Sequence, residues 1–245
     1  PPPPRPFFFQ PDESIRDPLW SRGLGDVYKR QVDDAYSVEK PEDCIRLYDK
    51  WAKTYDQDFV ERVHYMQFRQ VAEQLLLRKD EIVGPVLDVG CGTGVVGICL
   101  RDGGVAEIDG IDISGEMLEV ARQKKSAAGE AAYRNLIQAD LTQSIDIADD
   151  HYGGLVSAGT FTHGHLGPDS LDELWRVAAP GAQCAFTVRA THYKNAGFSD
   201  KLAGDVDAGL ISGLELVEVN IYADDTPDRD HAEDTSCIVV CQVVG

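Results

Sequence analysis

Hydrophobic and polar positions along the chain change period several times, and the changes mark the elements. From about Glu39, Cys44, Leu47, Tyr48, Trp51 and Tyr55 recur at helical spacing, which predicts an amphipathic helix with an aromatic stripe. A second helix is expected from near Val60 to Leu77, with Val71, Ala72, Leu75 and Leu76 on its buried side. Strand and helix signals then alternate. PVLDVG (85–90) predicts a strand, and Val95, Val96, Cys99 and Leu100 a short helix stopped by the DGG turn at 102–104. AEIDGID (106–112) is the second strand, followed by a helix capped by Ser114, with Lys124 and Lys125 expected in its last turn near the negative end of its dipole.

YRNLIQAD (133–140) and GGLVSAG (153–159) supply the third and fourth strands. Ser170 and Glu173 read as a capping box for a helix that Pro180-Gly181 breaks, and AQCAFTVRA (182–190) is the fifth strand. A helix at about Phe198–Leu210 precedes two last strands, LELVEVNIY (214–222) and SCIVVCQVV (236–244), joined by an acidic loop without a helix. Apolar strands alternating with helices imply a doubly wound α/β fold around a mostly parallel sheet, and the final helix-free connection implies an antiparallel edge at the C-terminal end. Three segments are expected: a leader at 1–31, N-terminal helices at 39–80 serving as a lid, and a main domain at 81–245. The leader, opening PPPPRPFFF, follows neither period and is set aside as a processing remnant or a disordered proline-rich tail.

Charge narrows the partners. Forty-two acidic against 23 basic residues give a net charge of −19, which repels phosphate backbones and anionic lipids. No apolar run approaches the ~20 residues of a membrane span. The expected partner is thus a small molecule rather than nucleic acid or membrane, and the expected compartment is the cytoplasm. The six cysteines form no CxxC pair, so reduced, buried thiols are expected rather than disulfides or a zinc site.

The chemistry concentrates where the first strand hands over to the first helix. In Asp88-Val-Gly90-Cys91-Gly92-Thr93-Gly94 the glycines permit close backbone approach to a ligand, and the helix start offers free N–H groups. Asp112, closing the second strand, can accept hydrogen bonds from both ribose hydroxyls of a nucleoside. Gly92-Thr-Gly94-Val-Val-Gly97 also matches GxGxxG, a dinucleotide signature and hence an NAD(P)-dependent oxidoreductase alternative. That signature should begin at Gly90, directly after the strand, and from there the third glycine falls on Val95. A carboxylate two residues before the first glycine repels a pyrophosphate and suits a ligand with a cationic amino group.

VLDVGCGTG, IDGIDIS, QADL and LWRVAAPGA resemble, in order and spacing, the successive motifs of class I S-adenosylmethionine-dependent methyltransferases, over roughly residues 45–245. YDKWAKTYDQDF (48–59) and GTFTHGHLG (159–167) are similar to the methyltransferase-like group named after the Williams–Beuren syndrome region. The resemblance implies a Rossmann-like, seven-stranded sheet and S-adenosyl-L-methionine as cofactor. Gly90, Gly92 and Gly94, with Cys91 and Thr93 between them, would line its methionine and ribose portion. Asp88 would face the amino group, Asp112 the ribose, Ile113 and Met117 the adenine, and Asp140 and Leu141 its exocyclic amine and ring edge. Ser157, Ala158 and Gly159 would run beneath the sulfonium, and Tyr48 and Tyr55 would belong to the lid. The family's acidic residue opening the fourth strand is replaced here by Gly153.

Methyl transfer needs a general base only when the acceptor must lose a proton. His163 and His165 are the catalytic candidates, with His192 and Tyr193 in the loop after the fifth strand; a metal site is not expected. A module that binds the cofactor without catalysis is the remaining alternative.

Overall fold

The computed structural model describes residues 40–245, so the expected leader lies outside the described residues. Seven strands make one sheet: β1 (Val86–Val89), β2 (Ile108–Asp112), β3 (Asn135–Gln138), β4 (Tyr152–Phe161), β5 (Ala178–Arg189), β6 (Ile211–Asn220) and β7 (Thr235–Val243). Their order across the sheet is β3-β2-β1-β4-β5-β7-β6. The first five are parallel; β7 runs antiparallel between β5 and β6, giving the expected antiparallel edge. The order reverses between β1 and β4, and a crevice opens there beyond the strands' carboxyl ends.

Helices α1 (Pro41–Trp51), α2 (Gln67–Leu76), α3 (Val95–Asp102), α4 (Gly115–Arg122), α5 (Ser170–Val177), α6 (Ala190–Asn195) and α7 (Phe198–Asp207) surround the sheet. The strand pleat divides the core in two. Leu87, Val89, Leu155 and Phe186 pack with Leu171, Leu174, Trp175, Phe198 and Leu202 of α5 and α7. Val86, Ile108, Val156 and Ala185 pack on the other face with Val71 and Leu75 of α2 and with Val96, Leu100 and Leu118. A smaller cluster of Trp51, Ala52 and Met117 seats α1 on α4. Among the described residues no helix is long and apolar enough to cross a membrane.

Several local expectations need correction. The helix expected from Val60 is interrupted: Asp56–Glu61 form a π-helical turn, His64 takes a φ of 53°, and α2 starts only at Gln67. The bend lets Tyr65 bridge to Tyr222 and the Met66 N–H donate to the Ile221 carbonyl at 2.9 Å, while Val60 and Val63 stay buried. Apolar periodicity is satisfied by a bent segment as well as by a helix. The capping box is absent, because Asp169 is the N-cap, Ser170 Oγ donates to the Gly167 carbonyl at 2.6 Å, and Glu173 turns to Arg176 and the Ile145 N–H. Lys124 and Lys125 lie beyond α4, which ends at Arg122. β5 begins at Ala178, and Pro180-Gly181 fall in a register shift between the Tyr152–Ala178 and Gly154–Gln183 pairs, where a proline costs no ladder bond. The segment after β5 is the short helix α6 rather than a loop.

Candidate functional site

The glycine loop closes around a single carboxylate. Gly90 and Gly92 take φ of 66° and 51°, values that L side chains rarely adopt. The Cys91 N–H donates to the Ile111 carbonyl at 3.0 Å, tying the loop to β2. Asp112, the last residue of β2, accepts from the Gly92 N–H on Oδ2 at 2.8 Å and from the Ser114 N–H on Oδ1 at 2.9 Å. Ser114 caps α4 as expected, its Oγ accepting from the Met117 N–H at 3.1 Å. Burial raises the Asp112 carboxyl's pKa, opposed by these backbone donors. A carboxylate has about four lone-pair sites, so these donors leave it able to accept from a ligand as well.

Above the loop lies a cavity of about 290 Å³. Tyr48, Tyr55, Gly90, Gly92, Asp112, Ile113, Met117, Asp140, Leu141, Ala158, Gly159 and His165 line it, twelve of the residues singled out from sequence. A side chain at Gly92 would meet no atom within 4 Å. Asp140 lines the wall and also closes its own turn, accepting from the Thr142 N–H at 2.9 Å. Pro41, Cys44, Thr142, Thr160 and Leu166 line the cavity without having been anticipated. Cys44, Thr160 and Leu166 lie in segments singled out from sequence, but their place in the cavity wall is set only by the tertiary fold.

Six expected residues do not line it. Asp88 is fully buried on the α3 face of the sheet, one pleat step from Leu87 and Val89. There it accepts from the Tyr133 hydroxyl at 2.6 Å while Oδ1 has no partner, and burial pushes its pKa up to about 7. Cys91 packs beneath Gly110, where an added Cβ would come 2.8 Å from its Sγ. Thr93 Oγ1 donates to Asp56 Oδ1 at 2.5 Å, so it fastens the π-helical turn. Gly94 is the N-cap of α3, and Ser157 Oγ donates to the Val89 carbonyl at 2.7 Å. His163 is exposed and contributes its carbonyl to His165. Gly153 leaves no room for the family's acidic side chain, since a Cβ there would sit 2.0 Å from the Val83 carbonyl oxygen.

The roof is fastened by side chains. Asp56 pairs with Lys124, Asp49 accepts from Ser114 Oγ at 2.6 Å, and the Tyr48 hydroxyl lies 2.8 Å from His165 Nε2. Burial lowers the His165 pKa and raises that of Tyr48. Beyond Tyr48, Tyr55, Ala158, Gly159 and His165 a second chamber of about 90 Å³ adjoins the first. Among the described residues no group of three or more histidine, cysteine or carboxylate side chains is placed to hold a metal ion.

Among the described residues, the lining of the larger cavity includes two carboxylates, Asp112 and Asp140, and no lysine or arginine. Such a wall attracts a cation and is unfavourable to a pyrophosphate, which favours a nucleoside carrying a sulfonium and an ammonium over a dinucleotide.

Comparison with known proteins agrees. Residues 86–181 match the family described as "Methyltransferase domain". The chain is 28% identical over 196 residues to human methyltransferase-like protein 27, covering 76% of this chain and 75% of that protein. It is 32% identical over 150 residues to a ubiquinone/menaquinone biosynthesis C-methyltransferase of Geotalea daltonii, covering 60% and 63%. The crystal structure of an S-adenosylmethionine-dependent methyltransferase from Clostridium acetobutylicum superposes with a TM-score of 0.54 at 15% identity, covering 81% of this chain and 99% of that one. The first four strands of the sheet lie within the matched methyltransferase domain, and in sequence and fold the chain is similar to S-adenosylmethionine-dependent methyltransferases.

Proposed function

We propose that this enzyme methylates a small organic molecule, with the cofactor in the 290 Å³ cavity and the acceptor in the chamber beside it. The acidic, cation-free cavity wall carries the cofactor placement. Gly90 and Gly92 lie against the methionine and ribose portion, Asp112 accepts from the ribose hydroxyls, and Ile113 and Met117 flank the adenine. Asp140 and Leu141 meet its amine and ring edge, Ala158 and Gly159 run beneath the sulfonium, and Tyr48 and Tyr55 close the roof. Asp88, Cys91, Thr93, Gly94 and Ser157 hold the loop's shape from outside the cavity.

S-adenosylmethionine brings a methyl group on a positively charged sulfur, already activated for displacement. The protein's part is to align the acceptor with it and keep water out, an effect worth up to roughly 7–11 kcal/mol. A small acceptor is supported by the limited chamber and by the net charge of −19, which disfavours nucleic acid. Six unpaired cysteines support a reducing compartment such as the cytoplasm. Similarity to human methyltransferase-like protein 27 supports a place in the group named after the Williams–Beuren region.

Calorimetric titration with S-adenosylmethionine, S-adenosylhomocysteine and reduced dinucleotides tests the placement. Micromolar binding of the two adenosyl ligands is expected. In Asp112→Ala it falls about a hundredfold, because two hydrogen bonds to a charged group are worth roughly 3 kcal/mol together. Binding of a dinucleotide alone, or unchanged affinity in the variant, would overturn it.

A further inference from the structure

The second chamber differs in kind from the cofactor cavity. Its walls include five aromatic rings, Trp51, Tyr55, Phe59, Tyr65 and Tyr222, and the Phe59 centroid lies 5.1–6.5 Å from the other four. No carboxylate is among its described lining residues. The one arginine, Arg189, is paired with Asp234 at 2.7 Å, and Gln67 and Ser236, bonded to each other, add only neutral polar atoms. Flat apolar walls suit a planar ring. Aromatic faces also attract cations, but a guanidinium in the wall and the lack of a counter-carboxylate work against an ammonium.

At the neck the hydrogen-bond directions are fixed by one carbonyl. His165 Nδ1 is 3.1 Å from the His163 carbonyl oxygen, which can only accept, so Nδ1 carries the ring proton. Burial, with His163 and His192 close by, keeps the ring neutral. Nε2 therefore presents its lone pair to the Tyr48 hydroxyl, which donates to it across 2.8 Å. The Tyr48 oxygen is left able to accept a hydrogen bond from a molecule at the neck.

We infer that the chamber takes an uncharged, single-ring acceptor of the phenol class and that the Tyr48–His165 pair receives its hydroxyl proton. The inference rests on the cofactor placement proposed above. As the acceptor oxygen bonds to the methyl carbon, its proton passes to Tyr48 Oη and the Tyr48 proton passes to His165 Nε2. The electron pair of the breaking carbon–sulfur bond stays on sulfur. The products are an aryl methyl ether, S-adenosylhomocysteine and an imidazolium, which returns its proton to water. A chamber of about 90 Å³, against the ~150 Å³ cavity that holds a benzene, admits no more than one ring, shared with the neck.

The test uses three probes of near-equal size, 4-methylphenol, benzylamine and toluene, titrated calorimetrically into the full chain loaded with S-adenosylhomocysteine. Binding of 4-methylphenol is expected to be at least tenfold tighter than that of the other two. With S-adenosylmethionine, mass spectrometry should find its methyl ether. His165→Gln and Tyr48→Phe should each lower kcat about a hundredfold at pH 7. The His165→Gln rate should recover toward pH 10 as the phenol ionises unaided. A merely structural histidine would not give that recovery. Benzylamine binding as tightly as 4-methylphenol, absence of ether, or an unchanged rate in both variants overturns the inference. If S-adenosylhomocysteine itself fails to bind, the cofactor placement falls too; if it binds and 4-methylphenol does not, only the present inference falls.

Discussion

The floor and the roof of the cavity proposed for the cofactor are built on opposite principles. The floor is backbone: the Gly92 and Ser114 N–H groups converge on one carboxylate and the Cys91 N–H on a β2 carbonyl, all within 24 residues of chain joined by adjacent parallel strands. The roof is held by side chains that meet across long separations, Tyr48 with His165, Asp49 with Ser114 and Asp56 with Lys124 and Thr93. Backbone geometry tolerates almost no change, so the floor should fail abruptly. Side-chain fastenings are individually modest and should fail by degrees, as suits a part that must open for cofactor exchange.

The sharpest way to break this comparison is Gly90→Ala. The added Cβ would lie 2.2 Å from Thr160 Oγ1 and 3.1 Å from Thr160 Cβ, at a φ of 66°. Overpacking costs about 1–3 kcal/mol and left-handed backbone about 1–2 kcal/mol, so a loss of roughly 2–5 kcal/mol is expected in denaturant melts, with cofactor binding lost. Adding Thr160→Ala should restore the overpacking share and leave the backbone share. A stable, binding-competent Gly90→Ala would mean that the floor is no more rigid than the roof.

The same contrast explains what could be seen in the sequence. The floor is local, so the glycines, Asp112 and the Ser114 cap were legible as a motif between a strand and a helix. The roof was legible only as an aromatic stripe from Cys44 to Tyr55. Its bend at His64 follows from a bridge to Tyr222, 157 residues beyond Tyr65, and nothing near residue 64 announces it. The capping box failed for a related reason: Ser170 and Glu173 have the right spacing, but Arg176 and the Ile145 N–H hold Glu173 more strongly than the helix start does. Asp88 shows the limit within the floor itself. Its position in the motif was plain, but the strand pleat turns its carboxyl away from the cavity and toward Tyr133.

That buried carboxyl gives the second test. Its pKa in the fold, about 7, is raised above the ordinary 3.8 mainly by burial. Its contribution is therefore fully present below pH 3.8 and is lost as pH rises through 7. At 1.36 kcal/mol per pH unit, the folded state should lose about 2–3 kcal/mol from this group between pH 5 and 7.5. Asp88→Asn keeps an oxygen for the Tyr133 hydroxyl and removes the titration. Chemical denaturation at the two pH values should show a difference smaller by that amount in the variant. Equal pH dependence in both proteins would mean that Asp88 is already ionised at pH 5, and that the floor tolerates a charge beneath it.

The smallest effect should come from the roof. Asp56 and Lys124 are about a quarter exposed, at 24% and 21%, so solvent weakens their pairing. Asp56→Asn keeps an acceptor for Thr93 Oγ1 and removes the ion pair, worth about 1 kcal/mol. Cofactor affinity should fall three- to tenfold, mostly as faster dissociation in stopped-flow, while thermal stability barely moves. Raising salt should weaken binding to the native chain more than to the variant, because screening acts on the acidic wall in both but on the Asp56–Lys124 pair only in the native chain. A hundredfold loss would put the roof on the same footing as the floor, and the division between a fixed cradle and a graded closure would fail. A loss within tenfold, with salt sensitivity reduced, would locate cofactor exchange in the side-chain fastenings above the cavity.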